Sequence, residues 1–231
     1  MNRHTSPTTT SVFHTIRLTL LLGVLMLLGG QGRAQVFSDN FNDAVLDTNK
    51  WEVQRPFCDS DVFLSSGNAV LLNRGILQKV GEAPTSLVLR TRFKFTGSPH
   101  DQFRIVWRSD GDTSNVLNAS REFIHCVRLS AQLPNSEIGP VGFILLDWTD
   151  HPTAHGIIAL VQTNLQANTF YDVRIEDDGS EIKVFWGTNT IPLITGNCTN
   201  RYGSRLAFNN REGACGGSSI SAGSRVELDY V

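Results

Sequence analysis

FYDVRIEDDGSEIKVFWG, Phe170 to Gly187, decides the fold. Tyr171, Val173 and Ile175 alternate with Asp172, Arg174 and Glu176. Successive side chains on a strand point to opposite faces, so this run has one apolar face and one polar face. Ile182, Val184 and Trp186 resume the alternation after Asp177-Asp178-Gly179-Ser180. An Asp-Gly step between two alternating runs predicts a hairpin, because glycine accepts the positive φ of a tight turn.

The same period of two extends outward from this hairpin. Leu87, Leu89, Thr91, Phe93 and Phe95 alternate with Val88, Arg90, Arg92 and Lys94, and Phe103, Ile105 and Trp107 alternate with Gln102, Arg104 and Arg108. Further strands are predicted over 69–72, 76–80, 123–129, 141–148, 157–162, 205–209 and 225–231. Breakers rich in glycine and proline separate them at 81–84, 97–99, 134–140 and 150–152. No long 3.6-residue pattern follows residue 34, so the chain reads as an all-β, antiparallel sandwich or barrel. Of 231 residues, 40% are hydrophobic, which is enough for a core and excludes wholesale disorder. The formal net charge of −2 argues against a dedicated nucleic-acid binder.

Residues 1–34 read as an address. Arg3, His4, His14 and Arg17 lie in a stretch without acids, Leu18 to Leu28 is a short apolar run, and small residues lead to Ala34. This is the pattern of a secretory signal peptide, and the run is shorter than the ~20 residues a spanning helix needs. The expectation is a soluble domain over 35–231, secreted or periplasmic, with no membrane span after cleavage. Cys58, Cys126, Cys198 and Cys215 all lie beyond residue 34, so an oxidising compartment allows two disulfides in three connectivities. Cys198 and Cys215 flank a Gly-rich loop and are the nearest local pair; a free buried thiol is the alternative for Cys126. Asn118 and Asn197 open glycosylation sequons, relevant only in a eukaryote.

Three segments carry a family resemblance. FSDNFNDAVLDTNKWEV (Phe37 to Val53) resembles the opening strand and loop of secreted concanavalin A-like jelly rolls, Phe170 to Gly187 resembles a hairpin of laminin G-like members, and VELDYV (Val226 to Val231) resembles their final strand. The resemblance implies a two-sheet antiparallel concanavalin A-like jelly roll, a fold that hosts lectins, glycosidases, lyases and adhesion modules. It also implies a structural calcium between the first and last strands, held by Asp39 and Asp229, with oxygen ligands suited to a hard cation.

The candidate chemistry divides by class. Glu176-x-Asp178-x-x-Glu181 matches the E-x-D-x-x-E of the laminarinase branch, where two carboxyls serve retaining hydrolysis from a strand in the substrate cleft. Here the motif straddles the predicted turn and reads as a solvated acidic turn. His125 resembles the histidine of alginate-lyase relatives, but Phe123 replaces their glutamine and their tyrosine stretch is missing. Arg90, Arg92 and Lys94 share one strand face, and Arg104 and Arg108 share a face of what reads as the partner strand. Five cations on one sheet would suit a glycan, including an acidic polysaccharide; cross-strand acidic partners are the alternative. Trp51, Trp107 and Trp186 read as packed, and Trp148, at a strand end, as a sugar-contacting edge. Asp147, Asp150, His151 and His155 read as a polar loop, because Pro152 argues against the helix a zinc pair needs. The leading expectation is therefore an exported, non-catalytic carbohydrate-recognition or surface-interaction module. The alternatives are a polysaccharide-degrading enzyme, hydrolase or lyase, and a structural envelope or matrix protein.

Overall fold

The computed structural model describes residues 37–231 apart from 56–59, 85, 97–100, 114–122, 136–138 and 211–223. The expected signal peptide, Cys58, Cys215 and the Asn118 sequon lie outside the described residues, as does most of the Gly/Ser-rich loop after Asn209. Among the described residues there is no helix. Fourteen strands run β1 (Trp51–Gln54), β2 (Asp61–Ser65), β3 (Asn68–Leu72), β4 (Ile76–Lys79), β5 (Leu87–Phe95), β6 (Gln102–Ser109) and β7 (His125–Gln132). They continue as β8 (Gly142–Asp150), β9 (Ala154–Thr163), β10 (Phe170–Asp177), β11 (Glu181–Trp186), β12 (Ile194–Asn197), β13 (Arg205–Asn210) and β14 (Arg225–Tyr230).

They form two seven-stranded antiparallel sheets. The first has the order β1-β4-β13-β6-β7-β8-β9, and the second β12-β11-β10-β5-β14-β3-β2. The predicted hairpin is β10–β11, with Ile175 opposite Val184 and Asp177 opposite Ile182. Gly179 has a φ of 98°, and Asp178 Oδ1 accepts from Ser180 N, Ser180 Oγ and Glu181 N. Those donors, the Glu181 amide foremost, hold the Asp178 carboxyl down at about 2.

The apolar phases of both sheets meet between the layers. Phe93 of the second sheet packs on Phe103 of the first at 4.3 Å between centroids; Phe103 stacks on Phe208, which meets Trp51 at 6.0 Å. Offset and edge-on aromatic packing fills the ~10 Å gap between sheets with large rings. One ion pair is buried in this layer. Asp177 accepts from Trp107 Nε1 (2.7 Å), Arg108 Nε (2.8 Å), Arg108 Nη2 and Gly179 N (2.8 Å), and Arg108 Nη1 donates to the Cys198 carbonyl (2.7 Å). Every charged oxygen has a donor, which is the condition for keeping such a pair inside.

Alternation failed to predict pairing in one place. β5 and β6 are consecutive but lie in different sheets: β5 pairs with β10 and β14, and β6 with β13 and β7. The chain thus passes from the second sheet at Phe95 to the first at Gln102.

Candidate functional site

That crossing dismantles the expected five-cation patch. Arg90, Arg92 and Lys94 lie on the outer face of the second sheet, whereas Arg104 lies on the outer face of the first. Arg108 joins neither. A register shift opposite Arg205/Ala207 and a φ of 51° at Arg108 break the period of two and turn the guanidinium into the core, onto Asp177. The second sheet's outer face supplies its own acids. Arg92 reaches Asp229 at 3.3 Å, Lys94 reaches Glu227 at 3.0 Å, and Arg225 reaches Glu227 at 2.8 Å. Arg92 and Lys94 also sit over the Phe170 ring. This is cross-strand charge pairing, and it occupies Arg92 and Lys94, two of the cations expected to attract an acidic glycan.

The other sequence candidates divide similarly. Glu176 pairs with Arg174 (3.3 Å) and Glu181 with Lys183 (2.6 Å), both on the second sheet's outer face and on either side of the turn. Trp148 is half-buried on the core phase of β8, opposite Gly156, where an added Cβ would lie 2.6 Å from the indole Nε1. It is a packing residue that requires glycine across the strand, not an edge platform. Among the described residues Cys198 and Cys126 are buried free thiols, the Cys215 of the expected pair lying outside them; burial pushes the Cys126 thiol up to about 12, far from a reactive thiolate.

Asp39 and Asp229 do not fit a calcium ion. Asp39 Oδ1 accepts from Phe41 N (2.9 Å) and Oδ2 from Trp51 Nε1 (2.7 Å), while Asp229 is taken by Arg92. Lys50 already brings a cation to the spot, with Nζ 3.4 Å from the Ser38 carbonyl and 3.7 Å from Asp39 Oδ2. Ser38, Asp39 and Lys50 border a hollow of 380 Å³ with Asn40, Tyr230 and Val231. Among the described residues, no three His, Cys, Asp or Glu side chains gather to hold a metal.

What the sequence reading missed is the outer face of the first sheet. Its phase is polar, yet it is buried. Asn209, Arg104, Ser130, Leu145 and Leu160 form one row across β13, β6, β7, β8 and β9. Gln102, Gln132, Phe143 and Gln162 form the row beside it. Gln78, Ala207, Val106, Arg128, Asp147 and Ile157 form the row on the other side. Arg128 holds Asp147 through Nε (2.9 and 3.1 Å) and Nη2 (2.8 Å), a bidentate pair whose charge is spent internally. Gln102, Arg104, Ser130, Gln132, Asp147 and Asn209 are all buried, whereas Ile157 and Leu160 at the β9 edge are exposed. The signal was present in the sequence as Gln102/Arg104 and Arg128/Ser130/Gln132 on one phase, but a polar phase reads as wetted when nothing reveals its burial.

A titratable group stands at the end of these strands. His125 Nδ1 lies 2.7 Å from Asp110 Oδ2; Nε2 lies 3.0 Å from the His151 carbonyl and 3.6 Å from Asp150 Oδ1. Both ring nitrogens face acceptors, so the imidazolium is the form that satisfies the site. The hydrogen bond to Asp110, chiefly, raises the pKa of His125 above 6.5. Tyr202 lies 6.0 Å away, ring to ring, and its hydroxyl accepts from Asn200 Nδ2 (3.0 Å).

No protein-family model matches the chain, and no curated protein does. Solved structures match well. A glycosyl hydrolase family protein from Mycobacterium fortuitum superposes with a TM-score of 0.58 at 14% identity, covering 84% of this chain and 97% of its own. A β-1,3-glucanase from Mycobacterium marinum gives 0.57 at 12% identity, covering 87% and 98%. The GH16 protein of the Bacteroides ovatus mixed-linkage glucan PUL, in complex with a G4G4G3G product, gives 0.56 at 11% identity, covering 85% and 98%. The chain therefore has the concanavalin A-like jelly-roll fold. These structures also run against the leading functional expectation of a non-catalytic recognition module: they are described as glucanases and glycoside hydrolases.

Proposed function

We propose that this chain is a polysaccharide-degrading enzyme acting across the outer face of the first sheet. The observation that carries the reading is the superposition of both seven-stranded sheets on glucanase structures over nearly their whole length. The buried amides and hydroxyls of that face support it, because such groups match the hydroxyls of a glycan. His125, held by Asp110 at the start of β7, stands on the phase of Val127 and Leu129 at the open end of the sandwich, where it can move a proton near neutral pH. Among the described residues, two free carboxyls about 5 Å apart, as retaining hydrolysis needs, do not stand at the centre of the face, where Asp147 is tied to Arg128. Residues 1–34 act as an export signal in this reading; their charge and hydropathy pattern is the support.

The test is incubation with β-1,3-glucan, mixed-linkage glucan and a polyuronate, scoring new reducing ends and ultraviolet-absorbing unsaturated ends separately. The first alone means hydrolysis; both together mean elimination. His125→Ala lowers the rate by about 10²–10⁴-fold. No new ends on any glycan would sink the reading.

A further inference from the structure

The first sheet's outer face carries buried polar atoms that lack partners. Gln102 Oε1, Ser130 Oγ and Asn209 Oδ1 make no hydrogen bond, and their residues are 5%, 1% and 4% exposed. The three are not scattered. Asn209 and Ser130 flank Arg104 in one row, and Gln102 precedes Arg104 by two on the same phase of β6. Strands lie ~4.8 Å apart, so Asn209 and Ser130 are about 10 Å apart across β6, close to the reach of two adjoining sugar rings. Gln102 Nε2 donates to Gln132 Oε1 at 2.9 Å, which leaves Gln102 Oε1 as the unmet acceptor.

A buried acceptor without a donor costs about 1–3 kcal/mol, and native proteins seldom keep several together without a ligand or an enclosed water. Two of these atoms are acceptors, which a donor completes, and the third is a hydroxyl, which donates or accepts. Arg128 and Asp147 beside them are paired with each other.

We propose that Gln102, Ser130 and Asn209 form a binding row that reads free sugar hydroxyls as hydrogen-bond donors, selecting uncharged, unsubstituted glycan segments over O-methylated or O-acetylated ones. The proposal rests on the polysaccharide reading and names the residues and the hydrogen-bond polarity through which that substrate is held.

The experiment is calorimetric titration of the protein with a panel of hydroxyl-only oligosaccharides, a β-1,3-linked glucotetraose among them. The O-methylated counterparts and a polygalacturonate tetramer are titrated alongside. Ser130→Ala, Asn209→Leu and Gln102→Leu are compared with the parent for affinity, melting temperature and turnover. The row predicts binding of at least one free oligosaccharide, loss on methylation, and a roughly tenfold weaker affinity in each variant. It also predicts a melting temperature that stays level or rises in Asn209→Leu, since an unmet polar atom has been removed, whereas Gln102→Leu also strips Gln132 Oε1 of its donor and lowers it. Equal binding of the methylated sugar, tighter binding of polygalacturonate, or no binding of any panel member overturns the proposal. Unchanged affinity with a lower melting temperature in the variants also overturns it, and assigns the atoms to an enclosed water. Binding without turnover would fell the enzyme reading and leave the row standing; turnover with unchanged KM in all three variants would do the reverse.

Discussion

Asp177 gathers four hydrogen bonds between the sheets. Its carboxylate receives an indole, a guanidinium fork and a backbone amide, and the same guanidinium reaches on to the Cys198 and Asn200 carbonyls. β6, β10 and the segment after β12 therefore meet on one anion. Removing one member of a buried, fully bonded pair leaves the other charge stranded, which costs about 3–5 kcal/mol. Asp177→Ala should lower unfolding free energy by that amount in denaturant titration, and Arg108→Met combined with Asp177→Leu should recover part of it. A loss below about 1 kcal/mol for the single variant would show that Arg108 finds water or another acceptor.

At the scale of elements, the ends of β6, β7 and β8 are tied by His125. Asp110 follows β6, His125 opens β7, and Asp150 and His151 end β8; the His151 amide also donates to the Ile124 carbonyl at 2.9 Å. The groups facing the imidazole are Asp110, Asp150, the His151 carbonyl and the Tyr202 ring. A histidine whose pKa is raised on folding contributes stability fully present below its unfolded value, 6.5, and lost as pH rises through the folded value. Melting temperature should therefore fall as pH climbs above 6.5, and His125→Gln should flatten that slope; a parallel slope in the variant would refute the tie. Strand phase was legible in the sequence for β5, β10 and β11, because each buries one face and wets the other. β1 and β12, four residues each, are too short to show a period. Partner choice was not legible: β5 and β6 have equivalent patterns whether they pair or part, and only their placement in different sheets decides. The Arg108 bulge was hidden for a related reason, since one inserted residue reverses facing without altering the residue types.

At the scale of the whole molecule, two layers depend on closure where the first and last segments meet. Asp39 and Val231 exchange backbone hydrogen bonds in both directions (3.0 and 2.9 Å), Trp51 anchors Asp39 from the core, and Lys50 supplies the positive charge beside it. Chelator should accordingly leave the melting temperature unchanged, whereas Lys50→Met should lower it. A drop in EDTA that calcium restores would mean that a metal, not the ammonium, closes this junction. The doubly bonded meeting of Asp39 and Val231 has a consequence for engineering. Because Asp39 and Val231 are already neighbours, a short peptide joining 231 to 37 would span almost no distance, and a chain opened in the exposed turn at Asp178 would leave both sheets with their strand order. Circular permutation at that turn should give a molecule that folds as the parent does.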